Sequence, residues 1–213
     1  MRKLIIFDLD GTLLYTLEDL CDALNYSSKL NGLREISLEE TKKIIGSGII
    51  NLIKGLLKLN EVEEYQEDYF NKVMKDYEEY YSLHRLDKTK EYFGTTDTLI
   101  ELQERGYTLA CLSNKPDSDT QVVIEYYFFE LFDYVLGKKD FFKIKPSPEG
   151  INYILKEMDF EAEDAYMVGD SINDVLAARE AHVKSIYASY GYQDLTDYDL
   201  KINDIKELLE IFN

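Results

Sequence analysis

The sequence is poor in cysteine and in long apolar runs, and each shortage excludes a class of protein. Its two cysteines, Cys21 and Cys111, are too few for a disulfide scaffold and lack the close spacing of a zinc ribbon. No segment approaches the roughly 18 apolar residues that span a bilayer. Asp8 interrupts the first apolar run too early for a secretory leader. We therefore expect a soluble, cytoplasmic protein.

Positive charge is also scarce, with 24 lysines and arginines against 42 aspartates and glutamates and a formal charge of −18. Most of the surface should repel phosphate backbones and anionic lipid, so neither nucleic acid nor a membrane is an expected partner. A phosphorylated small molecule would need local cations, which means a metal ion or a few well-placed lysines. At 213 residues the chain has room for one or two domains.

What the sequence does contain is a short apolar run that leads into two carboxylates. Residues 4–7 are typical of a strand covered on both faces. Asp8 and Asp10 follow at a spacing of two, so both side chains point the same way if the chain stays extended, and Gly11 allows a sharp turn. Carboxylates this close repel each other unless a cation neutralises them, and Mg²⁺ prefers oxygen ligands. The alternative is a simple turn that ends a strand.

Polar residues also follow later apolar runs, in a pattern typical of an α/β domain. A strand predicted over 107–112 delivers Ser113, and a strand predicted over 165–168 delivers Asp170, with Asp174 in the first turn of the next helix. Lys145 stands directly before a proline that stiffens its loop. Each has an ordinary explanation, because serine is a turn residue, a lone lysine is usually a solvated charge, and aspartate caps helices.

Between these stretches, residues 15–85 show helical spacing and no convincing strand. Ser37 and Glu40 form a predicted capping box. A break at 46–48 is either a turn between helices or a place where the N–H groups of a helix N-terminus, near Gly48, bind an anionic substrate. The block is predicted to be an all-helical insert after the first strand.

Taken in order, these stretches resemble the four motifs of the haloacid dehalogenase-like hydrolase superfamily, and the insert resembles the type-one cap of its phosphoglycolate phosphatase-like members. The resemblance covers nearly the whole chain. It implies an α/β fold with a Rossmann-like parallel sheet. It also implies a core domain of residues 1–14 and 86–213 and a helical cap domain of residues 15–85.

The resemblance further implies a Mg²⁺-dependent phosphatase of a small phosphorylated metabolite, a phosphoglycolate-like phosphomonoester, acting through an aspartyl-phosphate. Asp8 would be the nucleophile and a metal ligand, and Asp170 the second metal carboxylate. Asp10 would be the general acid and base, and a metal ligand through its carbonyl. Ser113 and Lys145 would stabilise the phosphoryl group.

Other positions are implied as substrate contacts or as supports of the site: Gly11, Thr12, Asn114 and Gly48 as contacts, and Asp174 and Thr16 as supports. Two departures matter. Tyr15 stands where relatives often carry aspartate, which leaves the support of Asp10 open, and His182 stands where relatives often carry glycine.

Several rival functions use the same fold. A sugar-phosphate mutase resembling β-phosphoglucomutase needs a cap that holds a bisphosphate, which the sparse histidine and arginine do not favour. Inorganic pyrophosphatase activity stays open. A dehalogenase would not need a second aspartate such as Asp10, and a non-catalytic binding protein would not need the acidic set. The sequence does not indicate the oligomeric state.

Overall fold

The computed structural model describes residues 3–213, so Met1 and Arg2, the start of the predicted core domain, lie outside the described residues. The chain divides into two compact units, one of Met1–Tyr15 with Glu91–Asn213 and one of Thr16–Lys90. The chain therefore returns from the helical unit to the first unit after Lys90, whereas the sequence analysis predicted this boundary after residue 85.

Residues 3–213 form eight strands and nine helices. In chain order the strands are β1 (Leu4–Phe7), β2 (Leu14–Tyr15), β3 (Lys90–Glu91), β4 (Thr108–Pro116), β5 (Tyr134–Lys138), β6 (Ala165–Gly169), β7 (Lys184–Ala188) and β8 (Leu200–Ile202). The helices are α1 (Leu17–Leu30), α2 (Leu38–Ile44), α3 (Gly48–Leu59), α4 (Glu67–His84), α5 (Thr95–Glu104), α6 (Asp117–Tyr127), α7 (Glu149–Met158), α8 (Ile172–Glu180) and α9 (Leu208–Ile211). Short 3₁₀ turns occupy Ala162–Asp164 and Ile205–Glu207.

The first unit is built on a six-stranded sheet in the order β5-β4-β1-β6-β7-β8. Every pairing in it is parallel. All four residues of β1 are fully buried, which explains their unbroken apolar character. The predicted α/β fold with a parallel core sheet is confirmed. Because β1 lies between β4 and β6, the polar residues that follow these three strands meet at one edge of the sheet.

The core of this unit lies between the sheet and its helices. On one face Leu4 and Ile6 pack in a buried cluster with Met167 of β6, and helices α7 and α8 contribute Ile154 and Ala178 to the same cluster. Because both faces of this strand are covered by apolar residues, polar residues can be accommodated only at its ends. The sheet thus fixes the start of the segment that carries Asp8.

The second unit contains four helices. Ser27 of α1 donates a hydrogen bond to the carbonyl of Val73 in α4 at 2.7 Å, which ties these two helices together. The capping box predicted at Ser37 and Glu40 is confirmed at the start of α2. Within residues 3–213, none of the helices has both the length and the apolar character needed to cross a membrane.

Two features of the sheet differ from the expectation. Strand β4 continues to Pro116, because a register shift against β5 between Leu112 and Pro116 lets a polar stretch stay in the sheet. The edge strand β8 was not predicted, since Leu200-Lys201-Ile202 is too short to show a clear alternation.

Candidate active site

Asp8 directly follows β1 and is 9% exposed. Its Oδ1 accepts a hydrogen bond from the backbone N–H of Leu9 at 2.7 Å and lies 2.8 Å from the ammonium nitrogen of Lys145. The same nitrogen lies 2.7 Å from Oδ1 of Asp174 and donates to the carbonyl of Leu112 at 2.7 Å. Lys145 is therefore held between two carboxyl groups, whereas its neighbour in sequence, Lys143, has a largely exposed side chain.

Asp174 is fixed from its other side as well. Its Oδ2 accepts hydrogen bonds from the backbone N–H of Ser171 at 3.0 Å and from the Ser171 hydroxyl at 2.6 Å, as part of a capping box at the start of α8. Asp174 thus serves both the helix cap and the ion pair with Lys145. The resemblance implied Asp174 only as a support of the site, and the geometry shows its contact with Lys145.

Asp170 follows β6 and is 2% exposed. Its Oδ2 accepts a hydrogen bond from the backbone N–H of Tyr192 at 2.6 Å, and its Oδ1 accepts one from the Thr12 hydroxyl at 3.3 Å. Two glycines leave room for it. A β-carbon on Gly11 would lie 2.5 Å from Oδ2 of Asp170, and one on Gly191 would lie 2.2 Å from the Asp170 β-carbon. The loop after β1 and the loop after β7 therefore close around this carboxyl group.

Burial and neighbouring carboxyl groups raise the pKa values of Asp8 and Asp170. Burial is the main cause of a raised pKa at Asp8, about 7, and Asp174 adds to it while Lys145 opposes it. Burial, with Asp8 and Asp174, holds the pKa of Asp170 well above its usual range. Burial disfavours the Lys145 ammonium, but Asp174 and Asp8 outweigh burial and raise its pKa. Lys145 is therefore a permanent positive charge in the site.

A second lysine, which the sequence interpretation missed, lies on the other carboxylate of the first motif. The ammonium nitrogen of Lys115 is 3.0 Å from Oδ2 of Asp10, and the Lys115 side chain is only 4% exposed. Oδ1 of Asp10 is buried and has no hydrogen-bond partner in the described part of the chain. The strand predicted from sequence ends at residue 112, so nothing in it placed Lys115 beside Ser113 in the sheet.

The remaining predicted residues of β4 are buried and engaged. Ser113 is 2% exposed, and its hydroxyl accepts a hydrogen bond from the backbone N–H of Lys115 at 3.2 Å. The Asn114 side chain donates to the carbonyl of Lys145 and accepts from its backbone N–H, both at 2.9 Å. Asn114 thus holds the Lys145 backbone in place. Its predicted substrate contact stays a prediction.

The arrangement fits a divalent cation. One oxygen from each of Asp8, Asp170 and Asp174 lies within 4.8 Å of the others, and carboxylate oxygens are the ligands of hard cations. With the groups ionised, four carboxylates face two ammonium groups at this edge, an excess of two negative charges in the set Asp8, Asp10, Asp170, Asp174, Lys115 and Lys145. A divalent cation would balance that excess and relieve the repulsion between the carboxylates.

The ligand set predicted from sequence differs in part from this cluster. The predicted set used the side chains of Asp8 and Asp170 and the backbone carbonyl of Asp10, whereas the carboxyl oxygens that cluster include Asp174. Because both oxygens of Asp174 already contact Lys145 or Ser171, Asp8 and Asp170 remain as the side chains best suited to a cation. The Asp10 carbonyl stays a predicted ligand.

Comparison with known proteins shows the family to which the chain belongs. The family model of haloacid dehalogenase-like hydrolases matches residues 5–188. The chain belongs to this family. The chain is 31% identical over 217 residues to a phosphoglycolate phosphatase of Vibrio parahaemolyticus, with 98% of this chain and 95% of that protein covered. It is 33% identical over 205 residues to a phosphoglycolate phosphatase of Nitrosospira multiformis, with 95% and 90% covered.

Solved structures agree with the family and with the fold. A crystal structure from Haemophilus somnus, described as a predicted phosphoglycolate phosphatase, superimposes on this hydrolase with a TM-score of 0.94 and 29% identity. The match covers 100% of this chain and 98% of that one. The resemblance inferred from four short motifs is therefore confirmed over the whole chain, including the all-helical segment between the first and second motifs.

Two of the predicted site residues of this hydrolase do not belong to the sheet edge. Thr16 immediately precedes α1 and Gly48 begins α3, and both lie in the helical unit. Gly48 has a φ of +76°, which is easy for glycine and strained for other residues. Their predicted roles as support and as substrate contact stay predictions.

The loop after β7 contacts the site, although none of its residues was a predicted site residue. The Tyr192 ring makes an edge contact with Tyr15, at 6.1 Å between ring centroids, and its backbone N–H holds Asp170. Tyr190 donates from its hydroxyl to the carbonyl of Thr12 at 3.0 Å. Tyr15, one of the two departures from the family pattern, is thus part of an aromatic support for the loop that carries Gly11. His182, the other departure, has a positive φ of 57° just after α8, in a conformation that suits glycine.

Proposed function

We propose that this haloacid dehalogenase-like phosphoric monoester hydrolase is a Mg²⁺-dependent phosphatase of a small phosphorylated metabolite, with Asp8 as the nucleophile. One observation supports this most strongly. The Asp8 carboxyl group, at the end of a buried strand, is 2.8 Å from the Lys145 ammonium and within 4.8 Å of carboxyl oxygens of Asp170 and Asp174. A carboxylate, a fixed positive charge and a cation site together suit attack on a phosphoryl group.

In the first step an Asp8 oxygen attacks phosphorus, and the bond between phosphorus and the leaving oxygen breaks. Asp10 donates a proton to that oxygen, so the alcohol leaves neutral and Asp8 carries the phosphoryl group. Positioned acid and base groups of this kind typically contribute about 10²–10⁴-fold to the rate. Lys145 faces the charge that builds on the phosphoryl oxygens, and Ser113 lies on the adjoining strand.

In the second step Asp10 accepts a proton from a water molecule, whose oxygen attacks the phosphorus of the aspartyl-phosphate. The bond between phosphorus and the Asp8 oxygen breaks, which releases inorganic phosphate and restores the Asp8 carboxylate. Asp10 is protonated again and is ready for the next cycle. One residue therefore serves as acid and then as base.

The carboxylates of Asp8 and Asp170, with the Asp10 carbonyl, would hold Mg²⁺. When bound, this ion would neutralise charge on the phosphoryl oxygens and keep the Asp8 carboxylate ionised. Thr12 and Tyr192 orient Asp170 through the hydrogen bonds described above. For the helical unit we propose the role of a cap domain that limits the access of bulk water.

The preferred substrate in this proposal is phosphoglycolate or a similar phosphomonoester. Its support comes from relatives of that name that match over nearly their whole length. A local positive charge, supplied by Lys145, is also needed on a chain with a formal charge of −18.

The decisive experiment measures phosphate release with Mg²⁺ and with EDTA from phosphoglycolate, sugar phosphates, nucleotides and pyrophosphate. We expect turnover that requires Mg²⁺, is highest with phosphoglycolate, and falls by at least about 10³-fold in Asp8→Asn. The variant changes one atom of a side chain, so a normal unfolding curve serves as its control. Failure to release phosphate from any of these compounds would rule out the phosphatase, and preference for pyrophosphate would replace the proposed substrate.

A further inference from the structure

Among residues 3–213, the Asp10 side chain forms an ion pair with one residue, which lies outside the predicted catalytic set. Oδ2 of Asp10 lies 3.0 Å from the Lys115 ammonium, while Oδ1 has no hydrogen-bond partner among residues 3–213. A carboxyl group bound through one oxygen can rotate about its side-chain bonds if that bond is lost. The orientation of Asp10 therefore depends on Lys115.

The chain holds Lys115 itself firmly. Its backbone N–H donates to the Ser113 hydroxyl at 3.2 Å, and its carbonyl accepts from the Thr120 hydroxyl at 3.4 Å. It lies in β4 inside the stretch where the register against β5 shifts, between Leu112 and Pro116. An irregularity of this kind redirects side chains at a sheet edge. Here it leaves both Ser113 and Lys115 buried at the carboxyl end of the strand.

A lysine at such a position is not explained by packing alone. Burying an ammonium group is costly even when it is paired, and an apolar side chain of similar size is often as stable or more so. The Lys115 side chain is 4% exposed, against 19% for its partner Asp10. Its ion pair with Asp10 offers a benefit of another kind, because it can fix the position of a group that reacts. A misplacement of about 1 Å at a reacting group can reduce the rate by about 10²-fold.

We propose that Lys115 is a positioning residue, whose ammonium group fixes the Asp10 carboxyl group for proton transfer to the leaving oxygen and from the attacking water. The proposal rests on the proposed function. It assigns the two buried lysines different tasks. Lys145 acts at Asp8 and the phosphoryl group, and Lys115 acts through Asp10.

The test compares Lys115→Met with the native enzyme on a series of substituted phenyl phosphates with Mg²⁺ present. These substrates carry the same charged group and differ in how much their leaving oxygen needs a proton. For phenyl phosphate we expect kcat/KM to fall on the order of 10²-fold, because a poor leaving group depends on a well-placed acid. For 4-nitrophenyl phosphate, whose leaving group needs little protonation, the fall should be several-fold at most.

A lysine that binds the phosphoryl group directly would instead lower kcat/KM by the same factor across the series, and this result would overturn the proposal. Such an equal fall would leave the dependence on the leaving group unchanged. Lys115→Gln, which keeps a hydrogen-bond donor, should lie between Lys115→Met and the native enzyme. Adding Lys115→Met to Asp10→Asn should cost less than about twofold more, because the group that Lys115 positions is already gone.

Lys139→Met is a matched control. Lys139 pairs with Asp117 at 3.3 Å in the same unit, and neither residue belongs to the acidic cluster, so its loss should leave the leaving-group dependence unchanged. Failure of the proposed function is distinguishable, since it would appear as absent phosphate release in the native enzyme. Normal Asp8-dependent turnover with a native leaving-group dependence in Lys115→Met would reject the role of Lys115 alone.

Discussion

Buried carboxyl groups occur in both units, and their surroundings differ. In the helical unit, Asp19 is 2% exposed and accepts hydrogen bonds from the backbone N–H groups of Lys88 at 3.0 Å and Thr89 at 2.8 Å, and from the Thr89 hydroxyl at 2.7 Å. In the α/β unit, Asp8 and Asp170 are similarly buried but lie close to another carboxyl group. One unit satisfies its buried acid with local donors, and the other concentrates acids together.

The difference distinguishes a carboxyl group that stabilises the fold from carboxyl groups that are suited to bind a cation. Neutral backbone donors compensate the desolvation of Asp19 and tie the start of α1 to the segment just before β3. At the sheet edge the two lysines compensate only part of the charge, and burial with mutual repulsion raises the pKa values of Asp8 and Asp170. A cluster that stays uncompensated in this way is suited to bind a cation and to react.

The largest expected effect concerns the cation. Mg²⁺ at about 100 times its dissociation constant should raise the free energy of unfolding of the native protein by about 2.7 kcal/mol. Asp170→Asn should lose most of this gain, because it removes a charged ligand while keeping an oxygen that can accept from Tyr192. The measurement is urea unfolding with Mg²⁺ and with EDTA.

Asp19→Asn provides the matched comparison for this experiment, because it removes one buried carboxylate from the other unit. It should keep the full Mg²⁺-dependent gain in stability. If the two variants lose the gain equally, the cation is not bound at the sheet edge and the contrast between the units fails.

The second expected effect concerns stability without any cation. Asp19→Asn places an amide N–H₂ where one carboxyl oxygen accepts hydrogen bonds from Lys88 or Thr89, so donors would face donors. We expect a loss of about 1–3 kcal/mol in the free energy of unfolding in EDTA. Asp22→Asn is the control, since Asp22 lies on the same helix and pairs with the Lys88 side chain at 2.6 Å but is 41% exposed. An exposed pair should contribute less than about 1 kcal/mol. Equal losses in the two variants would contradict the structural role of Asp19.

How much of this could be foreseen from sequence depends on the range of the interactions. Residues that directly follow an apolar strand, such as Asp8 and Asp170, were recognised because the carboxyl ends of parallel strands meet at one edge. The capping box of Ser37 and Glu40 was also foreseen, since it depends on a spacing of three residues. Features that depend only on short spacings along the chain can therefore be predicted from sequence.

Contacts between distant loops could not be foreseen in the same way. The hydrogen bond from Tyr192 to Asp170 joins residues 22 positions apart, and no period or spacing marks it. Lys115 was missed for another reason, because a lysine in a polar stretch after a strand is usually solvated. Its burial depends on the register shift within β4, which sequence spacing does not show. Gly191 is not among the predicted site residues, because its close approach to Asp170 exists only in the folded chain.

The smallest expected effect tests the raised pKa of Asp8, about 7 against an ordinary value of 3.8. Between these values the folded, metal-free protein binds a proton at Asp8 that the unfolded chain releases, so the contribution to stability is present at low pH and is lost as the pH rises through 7. In EDTA, this single group should lower the free energy of unfolding by at most about 1.4 kcal/mol between pH 6 and 7. Asp8→Asn cannot titrate there, so the stability of the native protein relative to this variant should decline over the same range, as measured by urea unfolding at each pH. Parallel curves for the two proteins would mean that Asp8 is already compensated like Asp19, and the distinction between the two kinds of buried acid would not hold.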